Sequence, residues 1–361
     1  MVSFEDYRAS MLRTLKGQTI RVPDLVALIY PDWQVERHEF EPQIRLDLCD
    51  SFVARWYPEN DRRQKLVKSG FETIAGYFCT GCQSERFLTL AQFMYWLFIW
   101  DDEIDCGDLT KDEAGTQNYH RDTIIFLKSC LEPGGLDCSQ ECATLGKHNS
   151  KSFKKIGDRM KDGQSKQALN RFAVSVYEYV DSVCDAQKVR ITCLPTWEEY
   201  LANRLLTIGA HPYLMAMEYA YGVVVPELVY ERKEIKLMLK ETSISIIMWA
   251  LGTLFNWNSI KAKWKFAIPL KMHHRGYTYA QDALVEVIED LSKSRQRFNI
   301  AEYLFLESKE YQNMSHTGQD AVKVLIQGCK NMMLGNMKWS FSNTRYTPDE
   351  RLEGWAVTFH L

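Results

Sequence analysis

The sequence contains no run that approaches the ~20 consecutive apolar residues that a membrane-spanning helix needs. Its first residues, MVSFEDYRASMLRTL, lack the basic and apolar regions of a secretion signal. A formal net charge of −3 gives no excess of positive charge with which to bind nucleic acid. We therefore expect a cytoplasmic protein that neither inserts stably into membranes nor binds nucleic acid.

Strand signals and breakers are also scarce. Alternating runs bounded by Asn-Gly or Asp-Gly turns are missing, and the 10 prolines lie mainly at breaks between apolar stretches. Apolar residues recur at helical spacing instead. Helices are predicted over Leu66–Phe78, Leu88–Trp100, Leu169–Val183, Trp197–Tyr221, Lys233–Trp264, Tyr279–Phe298 and Gln319–Phe341. The sequence predicts an all-α protein.

Domain organisation follows from the same features. The hydrophobic content is 46%, which is sufficient for a large core, and no internal repeat, low-complexity tract or linker interrupts the chain. Residues 1–361 are therefore expected to form a single helical domain. Within it, Glu132–Lys166 is predicted to be a surface loop with at most a short helix, because it combines Pro-Gly-Gly with many Ser and Lys. Thr196 is predicted to cap a helix, with Glu198 and Glu199 in its first turn.

Ten cysteines are present, and without a secretion signal they are expected to be reduced thiols. Cys79 and Cys82 form one CxxC pair that has no second pair and no histidine at zinc-site spacing. The pair is therefore interpreted as two packed thiols, with a redox or metal site as the alternative.

An acidic cluster follows the most aromatic stretch of the chain, Phe93–Gly107, FMYWLFIWDDEIDCG. On a helix Asp101 and Asp105 share a face, and Asp102 lies about 100° from Asp101. Like charges at this spacing repel, and carboxylates are unfavourable at a helix C-terminus. Mg²⁺ would compensate both effects, since it takes carboxylate oxygens and substrate phosphates as ligands. The alternative is a solvated acidic helix end.

Four stretches together resemble the class I terpene synthases, particularly the fungal sesquiterpene cyclases. They are Asp101–Asp105, Tyr200–Gly209, Leu251–Ile260 and Trp339–Tyr346, and their order and spacing extend the resemblance over most of the chain. The resemblance implies the single-domain helical bundle of the isoprenoid synthases. It also implies an isoprenyl diphosphate substrate, an Mg²⁺ cofactor, and a monomer or homodimer.

The resemblance assigns roles to three of the aspartates. Asp101 and Asp105 match the residues that in this family bind Mg²⁺ bridging to the substrate diphosphate, and Asp102 belongs to the same motif. Such ions stabilise the charge that grows on a leaving diphosphate.

Two arginines and a tyrosine are matched to diphosphate binding. Arg204 corresponds to the family's diphosphate-sensing arginine, on a helix that breaks near Gly209, and Arg345 and Tyr346 match the pair that hydrogen-bonds diphosphate when the site closes. Arginine suits the task because its planar guanidinium pairs with phosphate oxygens. Without the resemblance, Arg204 could equally form an ion pair on a helix surface. The alternative for Arg345 and Tyr346 is a solvated tail.

Aromatic side chains are the expected walls of a site that must shelter a carbocation from water. The candidates are Phe78, Phe93, Trp96, Trp100, Tyr213, Phe255, Trp257 and Trp339. For each of them the alternative is ordinary core packing.

The second metal motif of the family, Asn-Asp-x-x-Ser-x-x-x-Glu, is degenerate here. In one alignment, Gly252 and Thr253 take the places of the motif's Asn-Asp pair. In the same alignment, Asn256 takes the place of its serine and Ile260 that of its glutamate. A register that starts at Asn256 supplies no carboxylate either. Asn256 offers only a neutral oxygen. Lys261 and Lys263 are the candidates for supplying positive charge in place of the metal, with solvated lysines as the alternative. Glu241 is expected to lie too far along the helix to take the place of the missing glutamate.

Three functions remain open at this point. The first is an Mg²⁺-dependent cyclase acting on a linear isoprenyl diphosphate, with farnesyl diphosphate expected. The second is a prenyl-coupling enzyme on the same fold, which needs a site for an acceptor. The third is a non-catalytic isoprenoid-binding protein, which the missing glutamate favours and which the retained aspartates and arginines oppose.

Overall fold

A computed structural model describes residues 4–57, 59–105, 107–132, 149–189, 195–249, 267–342 and 350–361. Helices dominate the described ranges, which confirms the all-α prediction. No helix within these ranges combines the length and the apolar content needed to cross a bilayer.

The helices are Phe4–Leu15 (α1), Leu25–Ile29 (α2), Glu41–Asp47 (α3), Ala54–Trp56 (α4), Asn60–Ser69 (α5), Phe71–Phe78 (α6), Ser84–Asp105 (α7), Glu113–Leu131 (α8), Lys154–Asp162 (α9), Lys166–Val189 (α10), Trp197–Thr207 (α11), Ala210–Met215 (α12), Met217–Tyr221 (α13), Glu227–Glu231 (α14), Lys233–Trp249 (α15), Ala267–Arg275 (α16), Ala280–Leu306 (α17), Lys309–Gln312 (α18) and His316–Ser342 (α19). A π-helical segment, Leu48–Val53, joins α3 to α4, and 3₁₀ turns span Asp108–Lys111 and Asn149–Phe153.

Helix α7 lies in the core. The aromatic side chains of its second half, Phe93, Tyr95, Trp96 and Trp100, are almost completely buried. Burial on every side is what a helix that is apolar nearly all round requires. Because α7 ends at Asp105, the acidic residues of the motif occupy the last turn of a buried helix, and the macrodipole does not stabilise their charge there.

A small antiparallel sheet, which was not predicted, supplements the helices. It consists of Thr19–Val22 (β1), Glu350–Arg351 (β2) and Val357–His360 (β3), with β3 in the centre. In β1, buried and exposed residues alternate, with Ile20 and Val22 inside. A strand of two to four residues that pairs with a distant segment leaves too short a pattern to recognise from sequence.

Several predicted helices are interrupted. Gly70 adopts φ +62° between α5 and α6, in the middle of the predicted helix Leu66–Phe78. Gly209 adopts φ +73° between α11 and α12, within the predicted helix Trp197–Tyr221. Glycine is favoured at such positions because a side chain is strained at positive φ.

The predicted surface loop Glu132–Lys166 is described from residue 149 onward, and residues 133–148 lie outside the described ranges. Its second half forms the 3₁₀ turn Asn149–Phe153 and helix α9, and Phe153, Ile156 and Met160 are fully buried. The prediction of a mainly irregular surface segment was therefore wrong for this half. The three apolar residues are too few to stand out among the lysines, yet their spacing places them on one face of the chain.

The CxxC pair is packed, as predicted. Cys79 and Cys82 are buried free thiols. Burial raises the pKa of both, that of Cys82 to about 12, so neither thiol is activated as a nucleophile. The sulfur of Cys79 lies 3.5 Å from the hydroxyl of Tyr213.

One buried carboxylate organises the region around α13. Glu218, only 1% exposed, accepts hydrogen bonds from Arg171 Nη2 at 2.6 Å, from the Tyr230 hydroxyl at 3.0 Å and from the Val225 amide at 2.7 Å. The guanidinium of Arg171 also pairs with the exposed Glu227. A buried charge with this many partners fixes the relative positions of α10, α13 and α14.

Candidate active site

The predicted metal-binding aspartates end helix α7. Asp101 and Asp102 are partly buried, and no basic residue shares their helical turn. The backbone of Asp105 completes the helix, but its side chain lies outside the described part. Among the described side chains, no group of three or more His, Cys, Asp or Glu residues is arranged to hold a metal ion. The predicted ligand set includes Asp105, whose side chain is not described. The metal site therefore stays a prediction.

Arg204 lies in the last turn of α11, which begins as predicted. Thr196 and Glu199 form a reciprocal capping box: the Glu199 amide donates to Thr196 Oγ1 at 3.2 Å, and the Thr196 amide donates to Glu199 Oε2 at 2.8 Å. The partly buried guanidinium of Arg204 donates to Thr207 Oγ1 at 3.3 Å. Burial raises the pKa of Tyr200, whereas Arg204 lowers it through its charge and a hydrogen bond.

The chain changes direction immediately after this helix. Gly209 adopts left-handed backbone angles, φ +73° and ψ +5°, and separates α11 from α12. A β-carbon placed on Gly209 would lie 3.6 Å from Tyr179 Cε2 and 3.9 Å from Leu97 Cδ1. Gly209 therefore faces both α10 and the aspartate helix α7.

Tyr179 is the residue around which the described charges converge. It is 3% exposed, and burial raises the pKa of its hydroxyl well above the ordinary value. Asp101 raises that pKa further, Arg204 lowers it and Asp102 raises it. One buried hydroxyl is thus within electrostatic range of both described aspartates of the motif and of the predicted diphosphate-binding arginine. The structure brings these three predicted residues together.

Aromatic rings continue from this point into the interior. Trp100 lies 5.9 Å from Tyr179 between ring centroids, and further contacts of 5.2–6.2 Å link Trp100 to Trp96, Trp96 to Phe93, Phe93 to Tyr213 and Tyr213 to Phe78. Five of the predicted wall residues therefore form one connected series.

Trp96 and Trp339 also have other neighbours. Trp96 makes its closest ring contact with Phe153, at 5.0 Å. Trp339 lies apart from the series, where its indole nitrogen donates to the carbonyls of Ser69 and Gly70. All the described wall candidates are buried, and their contact with substrate stays a prediction.

The remaining predicted site residues lie outside the described part of the chain. They are Phe255, Asn256, Trp257, Lys261, Arg345 and Tyr346, together with the positions of the degenerate motif, Gly252, Thr253 and Ile260. Glu241 is described, and it is engaged elsewhere: it accepts hydrogen bonds from Arg297 and from Ser294. This agrees with the expectation that it does not replace the missing glutamate.

Tyr179 was not identified from the sequence. The only signal it offers is its position in the apolar face of α10, three residues after Val176 and four before Val183. That spacing indicates a buried tyrosine, but it gives no indication of the charges beside it.

Two surface clefts lie elsewhere, and neither is lined by Asp101, Asp102 or Arg204. One, of about 210 Å³, lies between α8 and α10 and is lined by residues that include Glu113, His120 and Asp181. The other, of about 360 Å³, lies beside α19 and is lined by residues that include Gln327 and Asn331.

Comparison with known proteins links this arrangement to a family. The family described as "Terpene synthase family 2, C-terminal metal binding" matches residues 92–250. The matched range contains the aspartate motif and Arg204, and it ends just before the stretch where the second metal motif was expected.

Two curated fungal proteins are similar over nearly the whole chain. Terpene cyclase braA of Annulohypoxylon truncatum is 24% identical over 99% of this chain and 94% of its own length. Sesquiterpene cyclase hepA of Aspergillus oryzae is 24% identical, with coverage of 94% and 92%.

A solved structure shares the fold. Germacradien-4-ol synthase from Streptomyces citricolor superposes with a TM-score of 0.72 at 13% identity, covering 86% of this chain and 97% of that one. The helices described above are therefore arranged as in the class I terpene synthase fold, as the sequence predicted.

Proposed function

We propose that this chain, which has the class I terpene synthase fold and is similar to fungal terpene cyclases, cyclises farnesyl diphosphate to a sesquiterpene in the presence of Mg²⁺. The substrate's chain length is proposed from the sesquiterpene cyclase among its relatives. The reaction begins with ionisation of the allylic diphosphate, and the resulting cation closes on a double bond of the same molecule.

The observation that carries this proposal is that the aspartate helix, the break after the arginine helix and the aromatic series all lie beside Tyr179. Asp101, Asp102 and Arg204 all act on its buried hydroxyl, and the aromatic series begins at the same ring. A polar end next to an aromatic interior matches a substrate with a diphosphate head and a hydrocarbon tail. Arg204 binds the leaving diphosphate through its guanidinium, while the aromatic residues exclude water and face the cation.

The carboxylates suit Mg²⁺ as a cofactor. Asp101 and Asp102 present hard oxygen donors in the partly buried last turn of α7. Together with Asp105 they would hold the ion, which when bound supplies positive charge to the departing diphosphate.

Residues beyond the described part complete the proposal. Arg345 and Tyr346 hydrogen-bond the diphosphate on closure. Asn256 and Lys261 serve the part of the diphosphate site that the second metal would otherwise occupy, Asn256 through a neutral oxygen and Lys261 through its charge.

The test is a product assay with purified protein, farnesyl diphosphate and Mg²⁺, with and without a chelator. A hydrocarbon or alcohol that appears in the gas chromatogram only without chelator supports the cyclase. Diphosphate release that requires an added acceptor identifies a coupling enzyme instead. If isoprenyl diphosphates of ten, fifteen and twenty carbons all remain unchanged, the result supports an isoprenoid-binding protein without catalytic activity.

Two substitutions sharpen the test. Asp101→Asn is expected to lower turnover at least about 100-fold, as loss of a group that stabilises transition-state charge does. Asp108→Asn, which makes the same charge change at an exposed site after the helix, is the control and should retain activity. If Asp101→Asn is as active as the control Asp108→Asn, Asp101 does not have the proposed metal-binding role. Ile260→Glu restores the carboxylate that the family motif has and is expected to change the Mg²⁺ dependence.

A further inference from the structure

Tyr179 contacts the aspartate helix at the turn that leads to the motif. Its hydroxyl donates to the carbonyl oxygen of Leu97 at 3.4 Å. In an α-helix the carbonyl of residue 97 also accepts the amide of residue 101, and a carbonyl has two lone pairs for this purpose. The hydroxyl of Tyr179 and the backbone of Asp101 thus share one acceptor.

The same side chain lies beside the break that follows the arginine helix. A β-carbon added to Gly209 would lie 3.6 Å from Cε2 of the Tyr179 ring, which is an ordinary van der Waals distance. The ring also packs against Trp100, the residue before Asp101, with centroids 5.9 Å apart. Tyr179 therefore lies between the end of α7 and the junction of α11 with α12.

Charged side chains on two sides act on the hydroxyl of Tyr179. Burial and the carboxylate of Asp101 raise the pKa of its hydroxyl, and the opposing effect of Arg204 does not reverse the shift. A phenol that keeps its proton can donate to the carbonyl of Leu97.

We propose that Tyr179 is a positioning residue, which holds the Asp101 turn of α7 against the helix break after Arg204. The carboxylates and the guanidinium then face the same diphosphate. Tyr179 acts through these residues and does not itself touch the substrate. The inference rests on the proposed function, because positioning matters only if metal and diphosphate bind here.

The test measures binding of inorganic pyrophosphate in the presence of Mg²⁺ by titration calorimetry, together with kcat and KM for farnesyl diphosphate. The variant is Tyr179→Phe, which removes the hydroxyl and keeps the ring. The control is Tyr177→Phe on the same helix, whose hydroxyl donates over a similar 3.5 Å to Glu132, away from the site. Urea unfolding of both variants shows whether they fold equally well.

Tyr179→Phe is expected to weaken Mg²⁺–pyrophosphate binding about twofold to tenfold, the change that loss of one hydrogen bond produces. Tyr177→Phe should bind as the wild type does. Equal binding by wild type and Tyr179→Phe would overturn the positioning role alone. The positioning role is also overturned if both variants bind pyrophosphate more weakly in proportion to the drop in their urea midpoints. That pattern indicates only a loss of stability. If the wild type binds no pyrophosphate with Mg²⁺, the proposed function and the positioning role both fail.

Discussion

Replacement of Gly209 by alanine tests whether the helix break beside the site exists as described. At φ +73° an alanine is strained by about 1–2 kcal/mol. The added methyl would contact Tyr179 and Leu97 at 3.6 and 3.9 Å, which are ordinary van der Waals distances and add little strain. Alanine also reduces the entropy of the unfolded chain, which offsets about 0.4–1 kcal/mol. The expected net loss in the free energy of unfolding is about 1 kcal/mol.

Urea denaturation measures this loss as a lower midpoint with an unchanged slope. Gly17 provides the matched control, because it adopts φ +83° with no atom within 4 Å of an added β-carbon. Gly17→Ala should lose a similar amount of stability and retain the activity of the wild type. Gly209→Ala should in addition lower turnover, since Arg204 lies one turn before the break. If Gly209→Ala is as stable as the wild type while Gly17→Ala is not, the left-handed break between α11 and α12 is absent in solution.

Three further outcomes follow from the contacts described. Thr196→Ala should lower the free energy of unfolding by about 1 kcal/mol through loss of the capping box, whereas Thr196→Ser should not; equal urea midpoints for the two would contradict the cap. Glu218→Ala should lower it by about 3–5 kcal/mol, because Arg171 is left buried with its main partner missing, and Glu227→Ala, at a 64% exposed side chain, should have little effect; similar losses in the two variants would refute the buried network. The pKa of Glu286 is lowered from 4.5 to about 2, first by its hydrogen bond with Arg275, so its stabilising contribution is complete above pH 4.5 and is lost as the pH falls towards 2. Over that interval the wild type should lose more stability than Glu286→Gln, and parallel curves would exclude the pair as a source of acid sensitivity.

The parts of the fold that the sequence predicted depend on local patterns. The cap at Thr196 needs only residues that lie within four positions, and the burial of α7 needs only its own apolar run. The small sheet was missed because Thr19–Val22 pairs with a strand more than three hundred positions away, and no local pattern encodes that pairing. The breaks at Gly70 and Gly209 were not predicted, and each lies inside a longer predicted helix. A single glycine in a stretch of helical periodicity does not reveal whether its φ is positive.

The candidate site divides in the same way. Asp101 and Arg204 were predicted as site residues because their side chains suit metal and diphosphate binding and because their spacing resembles that of a known family. Tyr179 was missed because its significance arises only when α7, α10 and α11 are packed together. A tyrosine on an apolar helix face is indistinguishable in sequence from a core residue, and only the three-dimensional structure shows which charges lie beside its hydroxyl.

The three-stranded sheet connects segments that lie near the two ends of the chain. Strand β3 is paired with β1 near the other end of the chain, and the backbone of Leu361 exchanges hydrogen bonds with Gly17 and Gln18. On its other side β3 pairs with β2, and the Arg351 guanidinium donates to the carbonyl of Phe341 in the last turn of α19. The last turn of α19 is thus linked to strand β1 through β2 and β3. A change that destabilises β1 should therefore also destabilise β3, β2 and the contact that they make with the end of α19.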